Sequence, residues 1–273
     1  MKANYRHEAR NHFKDAKNSL KKKGCVEARS AALSLRLCME ALTYERAQVY
    51  QYDLPTGKFE VWQPRILMIQ MLEIDPYADQ DSTMSFGLES TPGVPAEKMT
   101  LLGTEKPIKL SVLKDHYDAL GSYLHMPTIR KIENGKKFDE QKLRSRCQII
   151  INELEINLSS TLWKASLNFT ASQKCCECGE TIKRRFKDGD EPRPVSCHEC
   201  GMRYTLECVG TGKVHWKPHQ QKVVCLEESC KCEFYIPSHQ IIHGAEFDCM
   251  DCCAKMIVGL AVFLEPEGKK ESS

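Results

Sequence analysis

The sequence predicts an α+β fold, in which an N-terminal antiparallel helical bundle is followed by two small β-rich modules. Three observations predict this fold. Apolar residues recur with a helical period through most of residues 3–162. The chain has 15 cysteines, and all but Cys25, Cys38 and Cys147 lie between Cys175 and Cys253. In that cysteine-rich part, paired cysteines alternate with short segments that are typical of hairpins.

These changes in composition divide the chain into three expected domains. The helical domain is predicted to cover residues 1–163, with helices at about 3–22, 26–51, 64–75, 110–124 and 139–162. Residues 79–107 are rich in glycine and proline, which predicts an irregular insertion with at most one hairpin. The two β-rich modules are expected at residues 164–212 and 213–273.

Composition limits the classes of function. The 273 residues carry a formal net charge of +2, which excludes a protein that coats nucleic acid through bulk charge but leaves a local basic face open. No run of 18 apolar residues occurs, and residues 1–8 lack the apolar segment of a signal peptide. We therefore predict a cytoplasmic protein with no membrane partner. In that reducing compartment, clustered cysteines are more typical of metal ligands than of disulfides.

The first predicted helix carries a basic stripe. Arg10, Lys14 and Lys17 lie at helical spacing within a segment that has few acidic residues. Such a stripe is either a solvated face or a surface that binds phosphates. We consider these three residues candidates for binding nucleic acid.

Two short motifs in the helical domain suggest a family. The segment 31–42 contains Arg36-x-x-x-Glu40-Ala-Leu, and the fourth predicted helix ends in Gly121-x-x-x-His125. Both resemble motifs of HEPN-type helical bundles, in the branch that is common in bacterial defence loci. The resemblance implies a role in anti-phage defence and a homodimer formed through the helical domain.

In the ribonucleases of that family, an Arg-x(4–6)-His motif cleaves RNA without a metal ion, which makes a HEPN-type endoribonuclease the first alternative function. This chain departs from the pattern, because no arginine lies four to six residues before His125. Arg6 and His12 match the spacing, but they lie on the first helix. Arg6, His12, His125, Arg36 and Glu40 are thus weak catalytic candidates. Alternatively, Arg36 and Glu40 are an i,i+4 pair and His125 is a helix-end residue.

The cysteine pairs predict two zinc ions per chain. Cys175, Cys178, Cys197 and Cys200 form two Cys-x2-Cys turns, each followed by glycine, and their four thiolates suit tetrahedral zinc. For the second site we choose Cys225, Cys230, Cys249 and Cys252. The choice between Cys230 and Cys232, and between Cys252 and Cys253, stays open. Four thiolates fill the coordination sphere, so both ions are expected to be structural.

Between the first two cysteine pairs lies a basic segment with an aromatic residue. Lys183, Arg184 and Arg185 precede Phe186, a combination that suits phosphate contact and base stacking. The alternative is a solvent-facing hairpin balanced by nearby acidic residues. Residues 213–219, which include Trp216, are expected to form a linker. The leading hypothesis is a zinc-binding protein that binds nucleic acid or accompanies an effector. A second alternative is a protein–protein scaffold with zinc ribbons as docking modules.

Overall fold

The computed structural model describes residues 3–53, 63–91, 93–94, 96–126, 128–135, 138–164 and 168–259. The chain forms two compact units. The helical unit extends to Thr170 and also includes Arg184–Phe186; the cysteine-rich unit comprises Ala171–Lys183 and the chain from Lys187 onward. Helices in the first part and small antiparallel sheets in the second confirm the predicted mixed α+β class. Within the described ranges, no helix combines the length and the apolar character that crossing a membrane requires.

The helical unit is built around one long central helix. Its helices are α1 (Tyr5–Leu20), α2 (Cys25–Ala47), α3 (Pro64–Ile74), α4 (Leu110–Val112), α5 (Asp118–Leu124), α6 (Ile129–Glu133) and α7 (Glu140–Leu158). The side chains of Ala28, Ala31 and Ala32 on α2 are fully buried, as are those of Ala9 and Ala16 on α1. Alanines on both helices allow the two backbones to approach closely. The larger Leu, Ile and Met side chains of α2, α3, α5 and α7 complete the core.

The structure differs from the sequence prediction around the fourth predicted helix. Helices α4 and α5 are separated by a π-helical turn at Leu113–Tyr117, and α6 is an additional short helix. In the predicted irregular insertion, strands β1 (Ser82–Phe86) and β2 (Thr100–Glu105) form an antiparallel hairpin. The prediction of an irregular insertion with at most one hairpin agrees with this part of the structure.

Two buried ion pairs lie in the helical unit. Arg6 on α1 donates to Glu45 at 3.0 Å, and Arg46 donates to Glu105 at 2.9 Å. All four side chains are at most 8% exposed. Burial raises the pKa of Glu45, and the neighbouring Arg6 opposes this shift. Such pairs are costly to break, because removing one partner leaves an uncompensated buried charge.

The cysteine-rich unit consists of short strands that alternate with cysteine-bearing turns. After β3 (Phe169–Lys174), whose first two residues belong to the helical unit, come β4 (Thr181–Phe186), β5 (Arg193–Ser196), β6 (Arg203–Gly210), β7 (Lys213–Pro218), β8 (Gln220–Val224), β9 (Glu233–Pro237), β10 (Glu246–Asp248) and β11 (Lys255–Ile257). The paired strands are β3 with β4, β5 with β6 and β7, β8 with β9, and β10 with β11. Residues 213–218 form a strand of the three-stranded sheet rather than the predicted linker, so that sheet continues beyond residue 212.

The two halves of this unit have cores of unequal size. In the half that ends with β7, hereafter the first module, Ile182, Met202, Tyr204 and Leu206 are at most 2% exposed. In the second module, from β8 to Gly259, the buried residues besides two cysteines are Ile236 and Pro237, among those that the structure describes. So little apolar burial does not fold a module of this size by itself, which points to stabilisation by something other than apolar packing.

Candidate metal centres

Each cysteine pair lies in a tight turn between two adjacent strands. In the first turn, the N–H of Cys175 donates to the carbonyl of Glu180 at 2.8 Å, and the N–H of Gly179 donates back to the carbonyl of Cys175 at 2.9 Å. The turns that begin at Cys197 and Cys249 have the same two hydrogen bonds at the same spacing. The three turns therefore share one backbone conformation. It places the two cysteines of each pair, which are the first and fourth residues, on the same side of the turn.

The residue after the second cysteine adopts a left-handed conformation in each of these turns. Its φ is 75° at Gly179, 77° at Gly201 and 59° at Cys253. Glycine adopts this conformation without steric cost, which explains the glycine in the first module. By the same geometry, Cys252 occupies the position of the second cysteine of the pair in the last turn, and Cys253 occupies the position of the glycine.

The remaining turn, which begins at Cys225, is two residues longer. Its closing hydrogen bond joins the N–H of Cys225 to the carbonyl of Cys232 at 2.8 Å, and its left-handed residue is Lys231, with φ of 53°. The cysteine that precedes the left-handed residue is Cys230. Cys232 occupies the position of Glu180 in the first turn, immediately before a strand. The backbone therefore gives Cys230, and not Cys232, the position of the second cysteine of the pair, a choice that sequence spacing left open.

The sulfur atoms of the eight predicted ligands gather into two groups of four. Sγ–Sγ distances are 3.6 Å for Cys175–Cys200, for Cys178–Cys197 and for Cys225–Cys252, and 3.8 Å for Cys230–Cys249. A tetrahedron with Zn–S bonds of about 2.3 Å has edges of about 3.8 Å. Both groups, Cys175/Cys178/Cys197/Cys200 and Cys225/Cys230/Cys249/Cys252, thus fit one zinc ion each.

Hydrogen bonds lower the pKa of two thiols in these groups, those of Cys175 and Cys249. Burial acts to raise the pKa of the Cys175 thiol, but the Tyr204 hydroxyl and the N–H groups of Cys178 and Glu177 outweigh it and lower the pKa to about 6. The pKa of Cys249 is likewise lowered to about 6, first by the N–H of Cys252. Four thiols this close cannot all ionise unless a cation compensates their charge.

Tyr204 is a neighbour of the first group that no sequence motif predicts. Its hydroxyl lies 3.4 Å from Cys175 Sγ and accepts a hydrogen bond from the N–H of Cys176 at 2.9 Å. The ring is buried and meets Trp216 edge-on, with centroids 6.0 Å apart. Outer hydrogen bonds of this kind orient metal ligands and adjust their basicity. Trp216 is therefore part of the module's core rather than an exposed linker residue.

The second group has a fifth thiol beside it. Cys232 Sγ lies 3.1 Å from Cys249 Sγ, which is shorter than a tetrahedral edge, so these two sulfurs do not suit the same ion in this arrangement. Cys232 also lies within 4.8 Å of Cys230 and the Asp251 carboxylate. We infer that Cys232 is a neighbour of the second centre and not one of its four ligands.

Single serine substitutions test these ligand choices. Cys230→Ser and Cys252→Ser are each expected to lower the zinc content from two ions per chain to one, because serine does not replace a thiolate ligand. Cys232→Ser and Cys253→Ser serve as matched controls and should retain two. Native mass spectrometry of the purified proteins measures this. Two ions in Cys230→Ser together with one ion in Cys232→Ser would reverse the choice.

The catalytic candidates from the sequence do not converge on one site. The Arg6 guanidinium is bound to Glu45 and to the carbonyls of Asn157 and Leu158, whereas His12 is half-buried further along α1. His125 is exposed, one residue beyond α5.

Arg36 and Glu40, the two other catalytic candidates, meet the same tyrosine. The Arg36 guanidinium stacks on the Tyr117 ring with its Cζ 4.0 Å from the centroid, and the Tyr117 hydroxyl donates to Glu40 at 2.6 Å. A Cβ atom at Gly121 would lie 2.6 Å from Arg36 Nη1. Two motifs that carry the family resemblance, Arg36-x-x-x-Glu40 and Gly121, therefore pack against each other between α2 and α5.

The basic candidates differ in exposure. Arg10, Lys14 and Lys17 are exposed on α1, and Lys17 contacts Glu155 at 3.1 Å. On β4, Lys183 is half-buried and Arg184 is buried. Arg185 donates to Asp53 at 2.6 Å, with both side chains about one-tenth exposed.

Phe186, the aromatic residue of the same segment, is 1% exposed and packs on Phe169. The sequence suggested it as a base-stacking residue, and that suggestion is wrong because the ring is not accessible. Arg184, Arg185 and Phe186 therefore pack within the helical unit.

Comparison with family models, with curated proteins and with solved structures finds no match. The HEPN-type resemblance therefore stays a prediction, and the two cysteine groups are the functional feature that the geometry defines.

Proposed function

We propose that this chain is a zinc-binding protein in which two structural zinc ions hold the cysteine-rich unit together, as two zinc ribbons, and the helical unit binds nucleic acid. The observation that supports the zinc part most directly is the pair of four-sulfur groups with tetrahedral spacing. Four thiolates leave no open position for water or substrate, so the ions would supply folding energy rather than chemistry.

The nucleic-acid part is supported by the surface of α1. Arg10, Lys14 and Lys17 recur at intervals of four and three residues, so they lie on one face of the helix and remain exposed. The chain as a whole carries a net charge of only +2, which makes this stripe a local feature rather than a reflection of a basic composition. Arg184 and Arg185 contribute less, because their side chains are buried or paired.

A second candidate, a protein–protein scaffold, is favoured by the β1–β2 hairpin and the loop it encloses. Phe86, Leu88, Met99, Leu101 and Leu102 are between 47% and 88% exposed there. Apolar side chains gathered in one exposed segment are typical of contact with another protein. A bacterial defence role, a homodimer and a cytoplasmic location stay predictions. The ribonuclease alternative gains no support from Arg6, whose guanidinium is already bound within the helical unit.

Binding to oligonucleotides at increasing salt concentration tests the nucleic-acid part. The full chain with its metal ions should bind DNA or RNA at low salt, and log K should fall linearly with log salt as counterions are released. Replacing Arg10, Lys14 and Lys17 together with glutamate should weaken binding at least tenfold at low salt and less at high salt. Fluorescence anisotropy measures both.

In the matched control, glutamate replaces Lys109, Lys114 and Lys142. These lysines are exposed elsewhere in the helical unit, and the change in net charge is the same. Equal loss in both triple variants would show that bulk charge, not the α1 face, attracts the nucleic acid. Absence of binding by the unmodified protein at low salt would leave the scaffold function as the better proposal.

A further inference from the structure

An exposed aromatic residue lies beside the basic stripe of α1. Trp163, five residues after the end of α7, is 46% exposed. The guanidinium carbons of Arg6 and Arg10 lie 5.6 and 6.0 Å from the centre of its ring. Arg10 therefore joins the indole to the stripe, which continues along α1 through Lys14 and Lys17 for about 10 Å beyond Arg10.

The segment that carries this tryptophan is fixed to the hairpin of the helical unit. Thr104 N–H donates to Thr161 Oγ1 at 3.1 Å, and Lys106 N–H donates to Ser160 Oγ at 2.7 Å. Directly after Trp163, the N–H of Lys164 donates to Glu105 Oε1 at 2.7 Å. These hydrogen bonds on both sides of the indole limit its movement, as a stacking platform requires.

The backbone at this point is held in an uncommon conformation. Lys164 has φ of 63°, in the left-handed region that residues with a Cβ atom seldom adopt. The Glu105 carboxylate that anchors its N–H is itself held by Arg46 in one of the buried ion pairs. Strain of about 1–3 kcal/mol persists only where the surroundings enforce it, and such positions cluster at ligand-binding sites. Here the position of that conformation is the residue next to the indole.

The chemistry of this surface favours one class of partner. Positive charges on α1 attract a phosphate backbone, and an accessible indole stacks on a base. In a duplex, the base faces are already stacked on one another, so an aromatic side chain reaches bases only in single strands. An acidic protein would be attracted by the charges but would gain nothing from base stacking.

We propose that Trp163 and the stripe Arg10, Lys14 and Lys17 form a binding surface for single-stranded nucleic acid, with the indole as a base-stacking platform. This inference rests on the proposed nucleic-acid binding and specifies its location and its strand preference. Neither Trp163 nor its setting is evident from the sequence, because nothing in the spacing places residue 163 beside the first helix.

Anisotropy titrations of the full chain with a single-stranded oligonucleotide and with the corresponding duplex test the proposal. The single strand should bind more tightly. Trp163→Ala should weaken single-strand binding about 5- to 140-fold, the equivalent of 1–3 kcal/mol of stacking at 1.4 kcal/mol per factor of ten. Duplex binding should change little, and Trp163→Phe should restore most of the loss, because phenylalanine also stacks.

Two controls separate this inference from the function on which it rests. Ile129→Ala removes another exposed apolar side chain, on α6, and should leave binding unchanged. Single-strand binding that is equal in the unmodified protein and in Trp163→Ala would overturn the platform while nucleic-acid binding stands. Failure of the unmodified protein to bind any oligonucleotide would overturn both. Polyglutamate is added as a competitor of the oligonucleotide. If it displaces the oligonucleotide equally well from the unmodified protein and from Trp163→Ala, the surface is one for acidic proteins, which would overturn the platform.

Discussion

Replacing Cys178 with serine is expected to remove one zinc ion and to unfold the first module, while the helices remain folded. Structural zinc contributes about 10–16 kcal/mol in small zinc-binding peptides, which is as large as the whole stability of a typical domain. The helical unit has its own core around α2, whose buried residues include no proposed ligand. Native mass spectrometry should give one ion, and near-ultraviolet circular dichroism should lose the signal of Trp216.

The matched control for this substitution is Cys176→Ser. Cys176 is exposed and adjacent to the first ligand, but it is not in the four-sulfur group. It should retain two ions and the aromatic signal. Far-ultraviolet circular dichroism of Cys178→Ser should keep the helical signal. If that signal disappears with the metal, the helical unit is not independently stable and the division into two units does not describe folding.

Replacing Arg46 with alanine is expected to destabilise the helical unit by about 3–5 kcal/mol. The change leaves the Glu105 carboxylate buried without its ion-pair partner, and it removes the hydrogen bond from Arg46 Nε to the carbonyl of Ala78 at 2.7 Å. Removing one partner costs more than the pair contributes, because the remaining charge stays away from water. Urea denaturation followed by circular dichroism at a helical wavelength measures the free energy of unfolding.

Two further variants show whether the cost comes from the unpaired charge. The double variant Arg46→Met with Glu105→Leu should be more stable than Arg46→Ala, since neither charge of this pair remains. Lys17→Ala breaks an ion pair that is 45% and 59% exposed and should cost at most about 1 kcal/mol. Equal losses in Arg46→Ala and in the double variant would mean that packing and the lost hydrogen bonds, and not the unpaired charge, account for the effect.

The parts of this structure that the sequence predicts are those determined by local periodicity or spacing. Helices α1, α2 and α7 follow from apolar residues at helical intervals, and the two cysteine groups follow from the Cys-x2-Cys pairs. The prediction of a linker around Trp216 is wrong because a strand with alternating exposure resembles a polar linker when its partner strand is unknown. The prediction of base stacking by Phe186 is wrong because the composition of β4 does not reveal which of its faces is covered.

Contacts between distant parts of the chain could not be predicted in this way. Tyr204 and Cys175 are in contact although they are 29 positions apart in the sequence. Arg46 and Glu105 form an ion pair across 59 positions. No periodicity relates these residues. The choice of Cys230 over Cys232 depends on the φ angle of Lys231, which becomes visible only in the folded backbone.

The left-handed residues Lys231 and Cys253 make the two proposed zinc centres unequal. In the first module, glycine occupies both equivalent positions at little cost, whereas a side chain in this conformation costs roughly 1–2 kcal/mol. The second module must offset that cost twice, with Ile236 and Pro237 as its buried apolar residues besides the cysteines. Part of the free energy of zinc binding would therefore offset this backbone cost, which would lower the net affinity of the second centre. Over a range of low zinc concentrations the chain would hold a single ion, so that the second module folds only when the metal is plentiful.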